Sequence, residues 1–319
     1  MSRTRVRTRV VCVVGPTASG KTALGLELAE ALGGEIVSAD SRQVYRRLEI
    51  GTAKPSAAER ARVRYHCLDL VDPEEAFDAA RFRAAAAAAI ADVERRRRVP
   101  VVVGGTGLYV RALLGGLCPA PPRVPVLREA LARIARAEGA PALHRRLGML
   151  DPASAARIAP RDAVRSVRAL EVALTTGRRL SEWQAAHGFR DAPYDALVIG
   201  LDRPADELAT RIEARARAMM AAGLLDEVRA LGAWVPTDAP AFRAVGYREM
   251  LACATGELDV EAALAAMVRA TRRFAKRQRT WFRAEAAVVW RHPDRHRARI
   301  LAEAAAFLAG GARPDAAPA

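Results

Sequence analysis

Residues 15–22 read Gly-Pro-Thr-Ala-Ser-Gly-Lys-Thr, a complete G-x-x-x-x-G-K-[ST] phosphate-binding loop. The apolar run before it, residues 10–14, predicts a buried strand, and the spacing at 23–30 predicts a helix. In such a loop, backbone N–H groups and the helix N-terminus bind phosphate oxygens. The lysine adds a charge, and the final hydroxyl can hold Mg²⁺. The predicted phosphate-binding residues are Gly15, Pro16, Thr17, Ala18, Ser19, Gly20, Lys21 and Thr22, with Thr22 as the metal ligand.

The order of the patterns along the chain predicts an α/β fold. Apolar runs at 35–39, 100–103 and 196–201 alternate with helical patterns, which favours a parallel sheet covered by helices on both faces. Four prolines interrupt the chain within 117–125, and only helical patterns follow as far as residue 188. We therefore expect a P-loop NTPase-like catalytic core with C-terminal helices, formed by residues 1–120 and 192–319. An all-helical insertion is expected over 121–191.

The charge of the chain indicates a polyanionic partner. The sequence holds 51 Lys and Arg against 36 Asp and Glu, a formal net charge of +15. Arginines concentrate in 157–179 and in 269–283, and aromatic residues lie among those of the second cluster. Two such clusters favour nucleic acid over a merely solvated basic face. Four scattered cysteines and the absence of a signal-peptide or membrane-spanning pattern predict a reduced, cytoplasmic protein without a membrane partner.

Three polar residues follow predicted strands or the loop, at one edge of the sheet. Lys21, Asp40 and Thr106 each come after the carboxyl end of a strand, where ligands of parallel sheets bind. Asp40 can act as a general base or bind Mg²⁺, and the alternative is that it caps the next turn. Thr106 can offer its hydroxyl to an anion, or simply form part of a turn.

These residues, together with further segments, resemble the tRNA dimethylallyltransferases, also called tRNA isopentenyltransferases or the IPP transferase family. The matching segments keep the order of that family over nearly the whole chain, which makes the set specific although each one alone is short. They are residues 15–22, 40–45, 50–55, 104–109, 168–171, 223–228, 245–249 and 275–282.

The resemblance implies transfer of a dimethylallyl group from its diphosphate to N6 of the adenosine directly 3′ of the anticodon (position 37). The acceptors would be tRNAs reading codons that start with U, and the products diphosphate and N6-(dimethylallyl)adenosine. Asp40 would be the base, Thr106 would orient the diphosphate or the Asp40 carboxylate, and Lys21 and Mg²⁺ would stabilise the leaving group. Two arginines match a diphosphate-binding segment of the family, Arg211 and Arg215, of which Arg215 is the better match.

The resemblance also implies contacts with the anticodon stem-loop, partly through the helical insertion; a monomer is expected. The chain departs from the family's pattern at three places, which concern single tRNA contacts and not the reaction. The family often has Asn before Asp where this chain has Arg161-Asp162, and usually has paired arginines one turn later, where this chain has Val164-Arg165. At 47–49 the family commonly reads Gly-Met-Asp, and this chain reads Arg-Leu-Glu. The predicted tRNA-binding residues are Asp40, Ser41, Arg42, Gln43, Thr106, Arg128, Val164, Arg165, Ser166, Val167, Arg168, Arg243, Ala244, Val245, Gly246, Tyr247 and Arg248.

Three other functions compete with this one. An adenylate isopentenyltransferase shares the loop and the chemistry but needs neither the insertion nor the arginine clusters. A P-loop kinase is disfavoured because nothing resembles a nucleotide-kinase lid. An RNA-binding protein with a degenerate loop does not explain the intact Lys21, Thr22 and Asp40. These functions are distinguished by the acceptor that the protein uses, which would be tRNA, free AMP or a phosphoryl acceptor.

Overall fold

The computed structural model describes residues 7–314 and contains one six-stranded sheet in the order β3-β2-β4-β1-β5-β6. Every neighbouring pair of strands is parallel. The predicted α/β class with a parallel sheet is therefore confirmed. The strands are β1 (Arg9–Val14), β2 (Gly34–Ser38), β3 (Tyr65–His66), β4 (Val99–Gly104), β5 (Asp195–Leu201) and β6 (Val288–Arg291).

The chain forms two compact units, and the larger contains the residues up to Leu114 and those from Pro193 onward. Its central strands are buried along almost their whole length, as expected for strands covered on both faces. Its helices are α1 (Lys21–Ala31), α2 (Ala57–Arg62), α3 (Ala79–Arg95), α4 (Gly107–Gly115, which runs one residue past the boundary), α10 (Ala205–Ala221), α11 (Leu224–Gly232), α12 (Tyr247–Ala254), α13 (Val260–Arg283) and α14 (Arg297–Leu308), with a 3₁₀ turn at Pro240–Arg243.

The second unit, Gly115–Ala192, is entirely helical in the structure. Its core contains Leu143, Leu147 and Leu170, all fully buried. The buried Glu171 carboxylate accepts hydrogen bonds from Arg168 (2.7 Å), Arg128 (3.1 Å) and the Val124 N–H (2.7 Å), which fastens the proline-rich stretch to the helices. Its helices are α5 (Pro125–Glu138), α6 (Ala140–Leu150), α7 (Pro152–Arg157), α8 (Ala163–Thr176) and α9 (Leu180–His187).

Two close approaches bring loops of the larger unit to the carboxyl edge of the sheet. A Cβ on Gly104, the last residue of β4, would lie 2.2 Å from the Ala39 carbonyl oxygen, so only glycine lets these two chain segments meet. A Cβ on Gly25 would lie 2.5 Å from Val103 Cγ2, so glycine also lets α1 pack against the sheet. The residues after β1, β2 and β4 thereby converge.

Candidate active site

The phosphate-binding loop leaves β1 and enters α1, as the sequence predicts. Gly15 has φ +138°, and a Cβ there would lie 2.9 Å from the Leu201 carbonyl oxygen. Gly20, directly before α1, has φ +100°, a conformation that other residues adopt only with strain. Both glycines are thus required by the backbone path, which wraps the loop around the N-terminus of α1.

Two cationic side chains, Lys21 and Arg215, lie at this loop. Lys21 Nζ donates a hydrogen bond to the Pro16 carbonyl oxygen (2.6 Å) within the loop. Burial lowers the Lys21 pKa to about 7; the negative charge of Asp40 opposes that change and the positive charge of Arg215 adds to it. The Arg215 guanidinium, from α10, also has its pKa lowered by burial, with Asp40 acting in the opposite direction. The site therefore has two half-buried cations, each with a pKa lowered by burial, beside one carboxylate.

Asp40 and Thr106 meet at the end of the sheet, where both were predicted. Asp40 Oδ1 accepts hydrogen bonds from the N–H groups of Arg42 (2.8 Å) and Gln43 (3.4 Å), so the turn-capping interpretation also holds. Thr106 Oγ1 accepts from the Ser41 N–H (3.0 Å). Capping therefore holds the Asp40 carboxylate in place, and the Thr106 hydroxyl fixes the turn that carries it.

Two cavities share Thr17, Asp40, Thr52 and Arg215 in their walls. The smaller cavity has a volume of about 60 Å³, and Lys21 and Thr22 also line it. We call it the anion pocket because its walls carry the loop and both cations. The larger has a volume of about 360 Å³, and we call it the channel.

The channel has apolar walls and a basic rim. Positions 212, 216 and 219 of α10 and 267, 270 and 274 of α13 fall on one face of each helix, and those faces form the walls. The apolar wall residues are Ile212, Ala216, Met219, Met267, Ala270 and Phe274. The arginines that line the channel are Arg42, Arg215, Arg243, Arg248, Arg273 and Arg277.

The anion pocket suits a hard cation. A hydroxyl from Thr22 and a carboxylate from Asp40 line it, and oxygen donors of this type, few in number, match Mg²⁺ held largely by substrate phosphates and water. Within 7–314, one acidic and histidine cluster has metal-like spacing: Glu207, His292 and Asp294. The Arg203 guanidinium already pairs with both of those carboxylates.

Two residues of the site were not singled out from the sequence. Gln278 of α13 accepts a hydrogen bond from the Thr17 N–H (2.8 Å) and donates one to the Gly105 carbonyl oxygen (2.9 Å). Buried Arg203 donates to the Ser19 carbonyl oxygen (3.0 Å). Gln278 lies inside a segment that matches the family, 275–282, which was the available signal. Arg203 lay in no matching segment, and only the three-dimensional contact reveals it.

The predicted tRNA-binding residues of the larger unit differ in accessibility. Arg243 and Arg248 are exposed at the channel rim, whereas Gln43 donates to the carbonyl oxygens of Thr52 (3.2 Å) and Ala53 (3.1 Å). The Tyr247 side chain is fully buried, and its hydroxyl donates to Glu227. Tyr247 has no accessible surface in this structure, and its contact with RNA stays a prediction.

The predicted tRNA-binding residues of the helical unit also divide into two groups. Val164 and Arg165 are exposed at the start of α8, while Ser166 and Val167 are buried in the core of that unit. Arg128 and Arg168 are half-buried and pair with Glu171, so each has a structural role whether or not it meets RNA. The tRNA contacts of all these residues stay predictions.

A parallel α/β core with a phosphate-binding loop at the carboxyl end of its first strand defines a P-loop protein. The family model described as IPP transferase matches residues 43–285. This chain belongs to that family.

Individual relatives are similar over almost the whole chain. A protein of Anaeromyxobacter dehalogenans (strain 2CP-C) named tRNA dimethylallyltransferase is 58% identical over 285 residues, 89% of this chain and 95% of that protein. Trichlorobacter lovleyi has a "tRNA dimethylallyltransferase 1" that is 49% identical over 305 residues, 95% and 100% of the two chains. The crystal structure of the full-length tRNA isopentenylpyrophosphate transferase from Bacillus halodurans is 37% identical, with a TM-score of 0.70 over 95% of this chain and 96% of that one.

Proposed function

We propose that this protein transfers the dimethylallyl group of dimethylallyl diphosphate to N6 of adenosine 37 in tRNAs reading codons that start with U. The reaction releases diphosphate and leaves N6-(dimethylallyl)adenosine. The observation that carries the proposal is the junction of the anion pocket and the channel at Asp40 and Arg215. A diphosphate and an apolar chain joined to it fit the chemistry of the two cavities in that order.

The leaving group belongs in the anion pocket. As the carbon–oxygen bond of the substrate breaks, negative charge grows on the diphosphate. Lys21, Arg215 and the loop N–H groups stabilise that charge because they are fixed before the reaction begins. Mg²⁺, held at Thr22 and by the phosphates, would supply further Lewis-acid stabilisation of the same charge. The apolar faces of α10 and α13 hold the five-carbon chain and exclude water from it.

The acceptor approaches Asp40 from the channel. The adenine amino group must lose a proton as its nitrogen bonds to the carbon, and the Asp40 carboxylate accepts that proton. Since the Arg42 and Gln43 N–H groups hold Oδ1, the carboxylate cannot swing away from the junction. Thr106 acts on Asp40 indirectly, through the Ser41 N–H.

The arginine rim supports tRNA as the acceptor. A stacked base cannot reach the junction, so the adenosine has to leave its stack and enter the channel. Arg42, Arg243 and Arg248 at the rim, together with a net charge of +15, suit the phosphates on either side of that nucleotide. The helical unit would hold the anticodon stem. No helix within 7–314 is both long and apolar enough to span a membrane. We further propose that the protein is a cytoplasmic monomer.

The choice of acceptor tests the proposal. Labelled dimethylallyl diphosphate and Mg²⁺ are offered with unmodified tRNA, AMP and ADP in separate reactions. Label in tRNA, recovered as N6-(dimethylallyl)adenosine after digestion, is expected. Label in AMP or ADP would instead indicate a free-nucleotide prenyltransferase. In a parallel reaction with ATP in place of dimethylallyl diphosphate, phosphoryl transfer would indicate a kinase.

A further inference from the structure

The Gln278 carboxamide joins the phosphate-binding loop to the end of β4. Its Oε1 accepts from the Thr17 N–H (2.8 Å), and its Nε2 donates to the Gly105 carbonyl oxygen (2.9 Å). The residue is only 6% exposed, on the buried face of α13. A Cβ on Gly105 would lie 2.2 Å from Nε2, so the carboxamide fills the space that this glycine leaves.

The two ends of the loop face different cavities. Lys21 and Thr22 line the anion pocket and not the channel, whereas Thr17 lines both. A ligand chain that starts at Lys21 therefore reaches Thr17 where it passes from the anion pocket into the channel. An N–H group free at that point would bind another phosphoryl oxygen, since backbone N–H groups are the usual phosphate ligands of such loops.

We propose that Gln278 limits the loop to two phosphoryl groups by occupying the Thr17 N–H at the place where a third would bind. This inference rests on the proposed function, because the transferred carbon, and not a phosphate, then lies at Thr17. The carboxamide thereby removes the one backbone donor at that point that the third phosphate of a nucleoside triphosphate would use. Gln278 is thus a specificity-determining and positioning residue that does not touch the reacting atoms.

Binding of inorganic diphosphate and inorganic triphosphate, measured by calorimetry with Mg²⁺, tests the inference without any transfer reaction. The wild-type protein should prefer diphosphate. In Gln278→Ala, the ratio of the two dissociation constants should shift toward triphosphate by about tenfold, the usual effect of one hydrogen bond to a charged group. Thr280→Ala, an exposed change on the same helix, should leave the ratio unchanged.

A second pair of variants separates specificity from a folding defect. Gly105→Ala puts a methyl group against Nε2, so it should displace the carboxamide and shift the ratio as Gln278→Ala does. The double variant should then shift it no further, because one contact is lost in all three. Equal weakening of both ligands in Gln278→Ala would mean a purely structural role and would overturn the inference, as would additive effects in the double variant.

The outcome is distinguishable from failure of the proposed function. If the wild-type protein prenylates tRNA but the ratio does not move in Gln278→Ala, only the inference is wrong. If the wild-type protein prenylates nothing yet the ratio of the two dissociation constants shifts in Gln278→Ala, the role of Gln278 in excluding a third phosphoryl group stands. The proposed reaction is then wrong.

Discussion

Binding of diphosphate should depend on pH through Lys21, and the size of the effect follows from the site. Burial lowers the pKa of this lysine to about 7, against an ordinary value of 10.5. A bound anion favours the charged ammonium and raises that pKa again, so binding takes up a proton. Affinity should therefore be full below pH 7 and fall as the pH rises through 7.

The magnitude can be worked from that pKa. About half of the protein carries the ammonium at pH 7 and about one hundredth at pH 9, so the dissociation constant should rise about fifty-fold between them, or about 2.3 kcal/mol. Calorimetry with inorganic diphosphate in buffers of different ionisation enthalpy measures both the affinity and the protons taken up. Uptake should approach one proton per site above pH 8.

Lys21→Arg is the matched control, because a guanidinium stays charged over this range while the ionisation of diphosphate itself is common to both proteins. The difference between wild type and Lys21→Arg in how steeply diphosphate affinity falls with pH is therefore the contribution of the lysine. Equal slopes in the two proteins, or proton uptake equal to that of the control, would refute the argument that Lys21 is desolvated before the substrate binds.

Two further predictions concern stability. Arg47 has φ +64°, and its guanidinium lies 4.7 Å from the centre of the Trp234 ring. Thermal unfolding should show Arg47→Gly more stable than Arg47→Ala by about 1 kcal/mol, because glycine relieves the backbone strain; equal stabilities would contradict this. Burial raises the pKa of Glu171, but the Arg168, Val124 and Arg128 contacts outweigh it and hold the pKa below its usual range. Glu171→Gln should therefore cost about 2 kcal/mol at pH 7, and the difference from wild type should disappear as the pH falls through the native pKa of the glutamate. A difference that persists in acid would mean that packing, and not charge, is responsible.

Local patterns were enough to predict the parallel core, the loop and the meeting of Asp40 and Thr106. A phosphate-binding loop fixes its own surroundings, because strand, turn and helix are contiguous and the carboxyl ends of parallel strands share one edge. Short elements were harder. The helix α2 carries a capping box between Ser56 and Glu59, a local signal that was available. The helix α14 was not predicted either, although its buried residues Ile300, Ala304 and Phe307 lie at helical spacing. In α9 only Leu180 is buried, so the signal there is weaker.

Contacts between distant residues account for what the sequence could not predict. Gln278 meets Thr17 across 261 positions, and Arg203 meets Ser19 across 184, so no local spacing relates them. Burial changed the interpretation of other residues. Val167 follows exposed Arg165 by two residues, so helical spacing alone puts them on different faces of α8, one buried and the other exposed. Spacing does not say which face is covered, and the packing of α8 decides that.

The most direct test of the account is single-turnover transfer to tRNA by Asp40→Asn. Asparagine keeps the side-chain oxygen that accepts from the Arg42 and Gln43 N–H groups, so the turn should survive while the base is lost. We expect the rate of prenyl transfer to fall by about 10²–10⁴-fold, with diphosphate affinity changed by much less. Transfer at the wild-type rate, from protein that still binds diphosphate, would contradict the claim that Asp40 takes the proton at the junction of the two cavities.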